Sequence, residues 1–106
     1  MATGRLGTFS LAATTNTTVY IIPAGFYSVF NVSVTNTNAT AVTIRLAIAT
    51  ASTPAASEYL EYGTTIVPNG VFERTGLVAN ANLNVVVYSS ASGVNVNVYG
   101  IETSTS

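Results

Sequence analysis

Apolar residues recur at every second position through most of the chain. In VNVNVYG, Val94, Val96 and Val98 fall on one side of an extended backbone, and Asn95, Asn97 and Tyr99 on the other. In AVTIRLAIA, Val42, Ile44, Leu46 and Ile48 alternate with Thr43, Arg45, Ala47 and Ala49. FYSVFNVSV sets Phe26, Ser28, Phe30, Val32 and Val34 against Tyr27, Val29, Asn31 and Ser33. Its first half is apolar on both sides, which predicts a central strand. A period of two built from β-branched and aromatic residues marks strands with one face in a core. No segment carries the 3.6-residue period of an amphipathic helix.

Turn-forming residues separate these runs. Pro23-Ala24-Gly25, Asn36-Thr37-Asn38, the small-residue stretch 51–57, Pro68-Asn69-Gly70, 79–82 and 89–93 each interrupt the alternation. Pro presets φ, and Asn and Gly tolerate positive φ. The pattern predicts strands over roughly 6–12, 18–22, 26–35, 41–50, 63–67, 71–78, 83–89 and 94–102. EYLEY, residues 58–62, reads either as one helical turn or as the start of the strand that follows. Seven or eight short strands spaced by turns predict an all-β chain: one antiparallel β-sandwich or jelly-roll-like domain over residues 1–106. The small, polar ends, about 1–8 and 103–106, read as flexible or arm-like. Arg5, Leu6 and Phe9 are the expected contact residues of the N-terminal arm, which could pack on a neighbouring subunit.

Length and charge narrow the class. A chain of 106 residues builds one core and not two. Hydrophobic residues reach 48%, enough to order the chain, yet charged residues are only 7%, against about 25% in an average soluble protein. The charges are Arg5, Arg45, Arg74, Glu58, Glu61, Glu73 and Glu102; Lys, Asp, His, Cys and Trp are absent. Such a surface fits a chain largely covered by copies of itself or by a larger assembly. Without cysteine there is no disulfide framework. No apolar run approaches the roughly 18 residues of a membrane-spanning helix. MATGRLGTFS has no apolar stretch behind a basic start, so the expectation is cytoplasmic synthesis followed by assembly.

Most catalytic chemistry lacks its parts. A serine or threonine nucleophile needs a neighbouring base, and there is no His, Lys or Asp to supply one. Glu58 and Glu61 could form a glycosidase-like pair, but two loop acids are the simpler reading. Zinc needs His or Cys, calcium needs clustered carboxylates, and the phosphate-cradling glycine motifs are missing. Three arginines against four glutamates make no basic patch for nucleic acid. Sequons at Asn16, Asn31 and Asn38 follow from the abundance of Asn, Ser and Thr. The expectation is therefore a non-enzymatic protein with no cofactor, no metal, and no nucleic-acid or membrane partner. Arg45 and Arg74 are expected to pair with Glu58, Glu61 or Glu73, fixing strand register or lying at a subunit contact.

The segments VYIIPAG, FNVSVTN, AVTIRLAIA, EYLEYGTTIVPNGVFERTG, VVVYSS and VNVNVYGIE, taken in order, resemble small virion structural proteins of tailed bacteriophages, marine and cyanobacterial ones among them. The resemblance covers roughly residues 18–102. Its most specific parts are Glu73-Arg74-Thr75-Gly76 after the Asn-Gly turn, and Val98-Tyr99-Gly100-Ile101-Glu102. It implies a β-sandwich module repeated on a particle. The short chain suits a capsid decoration (cement) protein that bridges capsomers on the capsid surface. Its partners would be the major capsid protein and copies of itself, as a trimer or other homo-oligomer. A tail, neck or fibre-associated module is the alternative, although no heptad repeat supports a fibre shaft. The resemblance brings no catalytic motif. A further alternative, a carbohydrate- or host-surface-binding sandwich, requires Tyr59, Tyr62 and Tyr99 to share one open face.

Overall fold

Valine, isoleucine and threonine fit a pleated, half-buried surface, and the runs that carry them all form strands. The computed structural model describes residues 3–105. The strands are β1 (Thr3–Leu11), β2 (Thr17–Ile21), β3 (Phe26–Asn36), β4 (Val42–Ala49), β5 (Tyr59–Ile66), β6 (Val71–Ala79), β7 (Asn84–Ser89) and β8 (Val94–Ser104), with one 3₁₀ turn at Ala56–Glu58. β1 pairs with β8, β2 with β7, β3 with β6 and β4 with β5, as in one long hairpin folded over on itself. Two further pairings, β3 with β8 and β4 with β7, complete the sheets β1-β8-β3-β6 and β2-β7-β4-β5. All these pairings are antiparallel. The result is an all-β sandwich with jelly-roll strand order, and β3 is central as its two-sided apolar pattern predicts.

The alternating residues meet between the sheets. Phe30, Val32, Val34, Val94, Val96 and Val98 from the first sheet pack against Val42, Ile44, Leu46, Val85 and Val87 from the second. Val32 stands opposite Val98, and Val34 opposite Val96. A slip of one residue would carry Asn95 and Asn97 into the core, so the valine ladder itself specifies the register.

Buried polar side chains tie the two sheets together at two places. Asn36, at the end of β3, is fully buried. Its Nδ2 donates to the carbonyl oxygens of Thr40, Ile66 and Val67, and its Oδ1 accepts the Asn38 N–H. It ties the end of β3 to the end of β5 in the other sheet, and its own amide is fully hydrogen-bonded, as a buried polar group requires. Tyr20 of β2 donates its hydroxyl to Glu102 of β8 at 2.5 Å, again joining the sheets. Burial, and then the hydrogen bond to Glu102, push the Tyr20 phenol up to about 12. Because the folded value lies above the ordinary value of 10.0, this contribution to stability is complete below pH 10. It is lost as pH rises from 10 toward 12, where the unfolded chain gives up the proton first. Urea unfolding across that range should show a steeper decline for the native protein than for Tyr20→Phe. Equal slopes would contradict the assignment.

Both ends differ from expectation. The stretch read as an N-terminal arm is strand: β1 pairs with β8 from Thr3, opposite Ile101, to Leu11, opposite Val94. Without it β8 would be a long edge of unpaired N–H and C=O groups. The polar residues of β1 are tolerated because an edge strand keeps a wet face. At the other end β8 continues to Ser104, opposite Phe26. Met1, Ala2 and Ser106, also within the expected arms, lie outside the described residues. EYLEY divides: Glu58 closes the 3₁₀ turn, and β5 begins at Tyr59. Register shifts at Ile44/Arg45 and Leu46/Ala47, with Gly63 at φ +81°, break the alternation there and hide the strand from a period-two reading.

Candidate functional site

The charged side chains are dispersed, each by the strand that carries it. β5 and β6 are edge strands of different sheets. Arg74 stands opposite Val32, on the inward side of β6, and forms a salt bridge with Glu61 of β5. Thr64 donates a second hydrogen bond to Glu61 at 2.7 Å. The pair clasps the open side of the sandwich, but its side chains are 39% and 26% exposed, so it contributes about 0–1 kcal/mol.

Among the described residues Arg45 does not pair with a carboxylate, contrary to expectation. The register sets it directly between Tyr62 of β5 and Tyr88 of β7. Its guanidinium carbon lies 4.3 Å from each ring centroid. The two nearest acids in sequence are committed elsewhere. Glu58 accepts the backbone N–H groups of Ala55 at 2.8 Å and Thr50 at 3.2 Å. These bonds, Ala55 first, hold its carboxyl below the usual range despite a partly opposing desolvation. Glu61 stands opposite Leu46 and turns toward the clasp. The two glutamates thus serve different partners. Glu73, the third expected partner, accepts the Tyr99 hydroxyl at 2.7 Å. That hydrogen bond is the main reason the Tyr99 phenol is raised.

Arg5, Leu6 and Phe9 lie in β1. Arg5 is exposed opposite Tyr99, with no carboxylate partner among the described residues. Leu6 occupies a bulge and packs on the core. Phe9 is largely exposed beside a shallow groove shared with Leu6, Thr18 and Ile21 between β1 and β2.

The outer faces of the sheets differ. On the first sheet Val29 sits between Ile101 and Val78, with Tyr27 nearby, and all four are exposed. Farther along the same face come Thr8, Ser10, Ser33, Asn95 and Asn97, where Ser10 donates to Asn95 at 2.7 Å. On the outer face of the second sheet Ala47, Ala49 and Val86 are buried, with Tyr59 packed against them. Tyr59 meets Tyr62 edge to face at 5.0 Å and 87°. Pro54, Ala56, Tyr59 and Tyr62 line an open depression beside the loop after β4.

No known protein family, curated protein or solved structure matches this chain. Among the described residues, no three His, Cys, Asp or Glu side chains are grouped as a metal site would need. The tyrosines named in the sequence do not share one face: Tyr59 and Tyr62 stand on the second sheet, and Tyr99 on the first. The residue that sequence reasoning missed is Tyr88. Its only signal is its alignment with Arg45, which exists once β4 and β7 are in register.

Proposed function

We propose that this chain is a non-enzymatic virion structural protein, a capsid decoration (cement) protein that bridges capsomers on the phage head. The observation that supports this reading best is the outer face of the β1-β8-β3-β6 sheet. It presents exposed Tyr27, Val29, Val78 and Ile101 at one end and Ser, Thr and Asn at the other. A chain with only 7% charged residues suits a surface that a partner covers. The partner would be the major capsid protein, with further copies of the chain alongside in a trimer or other homo-oligomer. Arg5 would take part from the same sheet, and Leu6 and Phe9 from its edge. Synthesis in the host cytoplasm would precede loading onto the capsid surface.

Stabilisation would follow from mass action. A protein that binds only the assembled lattice lowers the free energy of that state, and many weak contacts together give firm retention. The resemblance to phage virion proteins also admits a tail or neck position, and copy number separates the two. Quantitative mass spectrometry of purified particles is expected to find hundreds of copies; a few to dozens would place the chain in the tail or neck, and none would remove it from the virion. Val29→Asp should abolish loading onto shells while costing the fold about 1–2 kcal/mol, from lost pairing with Val78 and Ile101 and poor strand propensity, so that the variant stays folded. Undiminished loading would exclude this face as the contact.

A further inference from the structure

The Arg45 site is an arrangement that the assembly role leaves unused. A guanidinium carries five N–H donors in a planar fork suited to carboxylates. Arg45 makes no hydrogen bond or salt bridge among the described residues. Its position is nevertheless defined, because Tyr62 and Tyr88 hold the guanidinium between them at 4.3 Å each. The two ring contacts fix where the group lies and spend none of its N–H donors on hydrogen bonds among the described residues. A binding group held in place before its ligand arrives loses less freedom on binding.

The surroundings point to the ligand. Tyr62, whose ring carries Arg45, is 66% exposed and also lines the open depression with Pro54, Ala56 and Tyr59. The depression measures about 620 Å³, within the usual range for small-ligand sites. Its walls are tyrosine rings and small apolar groups, which suit the C–H face of a sugar ring and offer polar hydroxyl tips to its substituents. Among the described residues no carboxylate competes for Arg45: Glu58 is held by its own loop, and Glu61 by Arg74. We infer that Arg45, Tyr62 and Tyr59 form a binding site for an acidic glycan, with the sugar carboxylate on the Arg45 fork and a sugar ring against the tyrosines. An acidic polypeptide fits less well, because a single arginine offers it one charge contact and the rings offer a sugar-sized platform. The site does not depend on where the chain assembles.

Calorimetric titration, with amide NMR shifts to locate binding, tests this on the native chain with four probes. They are tetragalacturonate, its methyl ester, sialyllactose and lactose; tetraglutamate serves as the peptide control. At least one acidic sugar should bind, with shifts centred on Arg45, Tyr59 and Tyr62. Its neutral counterpart should bind at least about tenfold more weakly, because a bidentate charge-assisted contact is lost. Arg45→Lys keeps the charge but loses the planar fork, and should weaken the acidic sugar by about tenfold. Asn97→Ala, on the opposite sheet, should leave binding unchanged. Equal binding of acid and neutral forms, shifts elsewhere, no binding of either acidic sugar at millimolar concentration, or tetraglutamate binding as tightly as the sugar would each overturn the proposal.

Discussion

Replacing Phe30 by alanine should cost about 3–5 kcal/mol, the usual range for removing a buried phenylalanine side chain. Phe30 is 1% exposed in the middle of β3 and heads the fully buried side chains by volume. It also meets Tyr20 edge to face, with ring centroids 5.8 Å apart at 72°. The substitution therefore opens a cavity between the sheets and removes the ring that packs beside the Tyr20–Glu102 hydrogen bond. Domains of this size have total stabilities of roughly 5–15 kcal/mol, so much of the margin disappears. Each kcal/mol moves the melting temperature by roughly 4–8 °C in a domain near 100 residues, so a fall of roughly 12–40 °C is expected. Phe30→Leu, which keeps most of the volume, should lose less than half as much. Urea denaturation with unchanged m-values would give both numbers. A loss under about 1 kcal/mol for the alanine variant would mean that the site collapses around the gap, against the close packing of a two-sheet core.

Gly100→Ala should be comparably severe for the opposite reason, overpacking. Gly100 lies in β8 directly opposite Phe30. A Cβ there would lie 2.6 Å from the Phe30 Cα and 3.0 Å from its Cβ, and closer still to the Val29 carbonyl oxygen. These are mainly backbone atoms, so no rotamer change relieves the clash. β3 and β8 must separate at the middle of the sheet, where they are paired continuously from Phe26–Ser104 to Asn36–Val94. The expected cost is about 3 kcal/mol or more, at the upper end for inserting a methyl group into a packed core. Gly63→Ala is the informative comparison. Its φ is +81° but a Cβ there meets nothing within 4 Å. The penalty is then only that of a left-handed backbone, about 1–2 kcal/mol. Chemical unfolding should rank Gly100→Ala as the more damaging variant; the reverse order would refute the close approach of β3 and β8.

The candidate sites were far less legible in the sequence than the strands. Arg74 and Glu61 could be read as a pair because β6 follows β5 in the chain. That the pair spans two sheets could not be read, since nothing local says that consecutive strands lie in different sheets. Arg45 shows the limit more sharply. By sequence its nearest opposite charges are Glu58 and Glu61, so a salt bridge was the natural expectation. Its neighbours are chosen instead by hydrogen-bonded register with β5 and β7, and that register places a tyrosine on either side. The small, polar character of residues 1–8 likewise suggested an arm, whereas the edge of β8 draws Thr3 onward into the sheet.

What the sequence determined by itself was the approximate place of the strands, the inward face of the three most regular ones (β3, β4 and β8), and the turns between most of them. These are local properties: period-two alternation and Pro, Asn and Gly at the breaks act within a few residues and need no partner. Tertiary structure alone decided which strand lies beside which, because the same alternation suits almost any pairing. Joining Thr3 to Ile101, burying Ala47 and Ala49 with Val86 against Tyr59, and placing Arg45 between Tyr62 and Tyr88 all require residues far apart in the chain to meet. Those meetings are selected by the closure of one shared core, where the valine ladders of both sheets are buried together and every strand edge but four finds a partner.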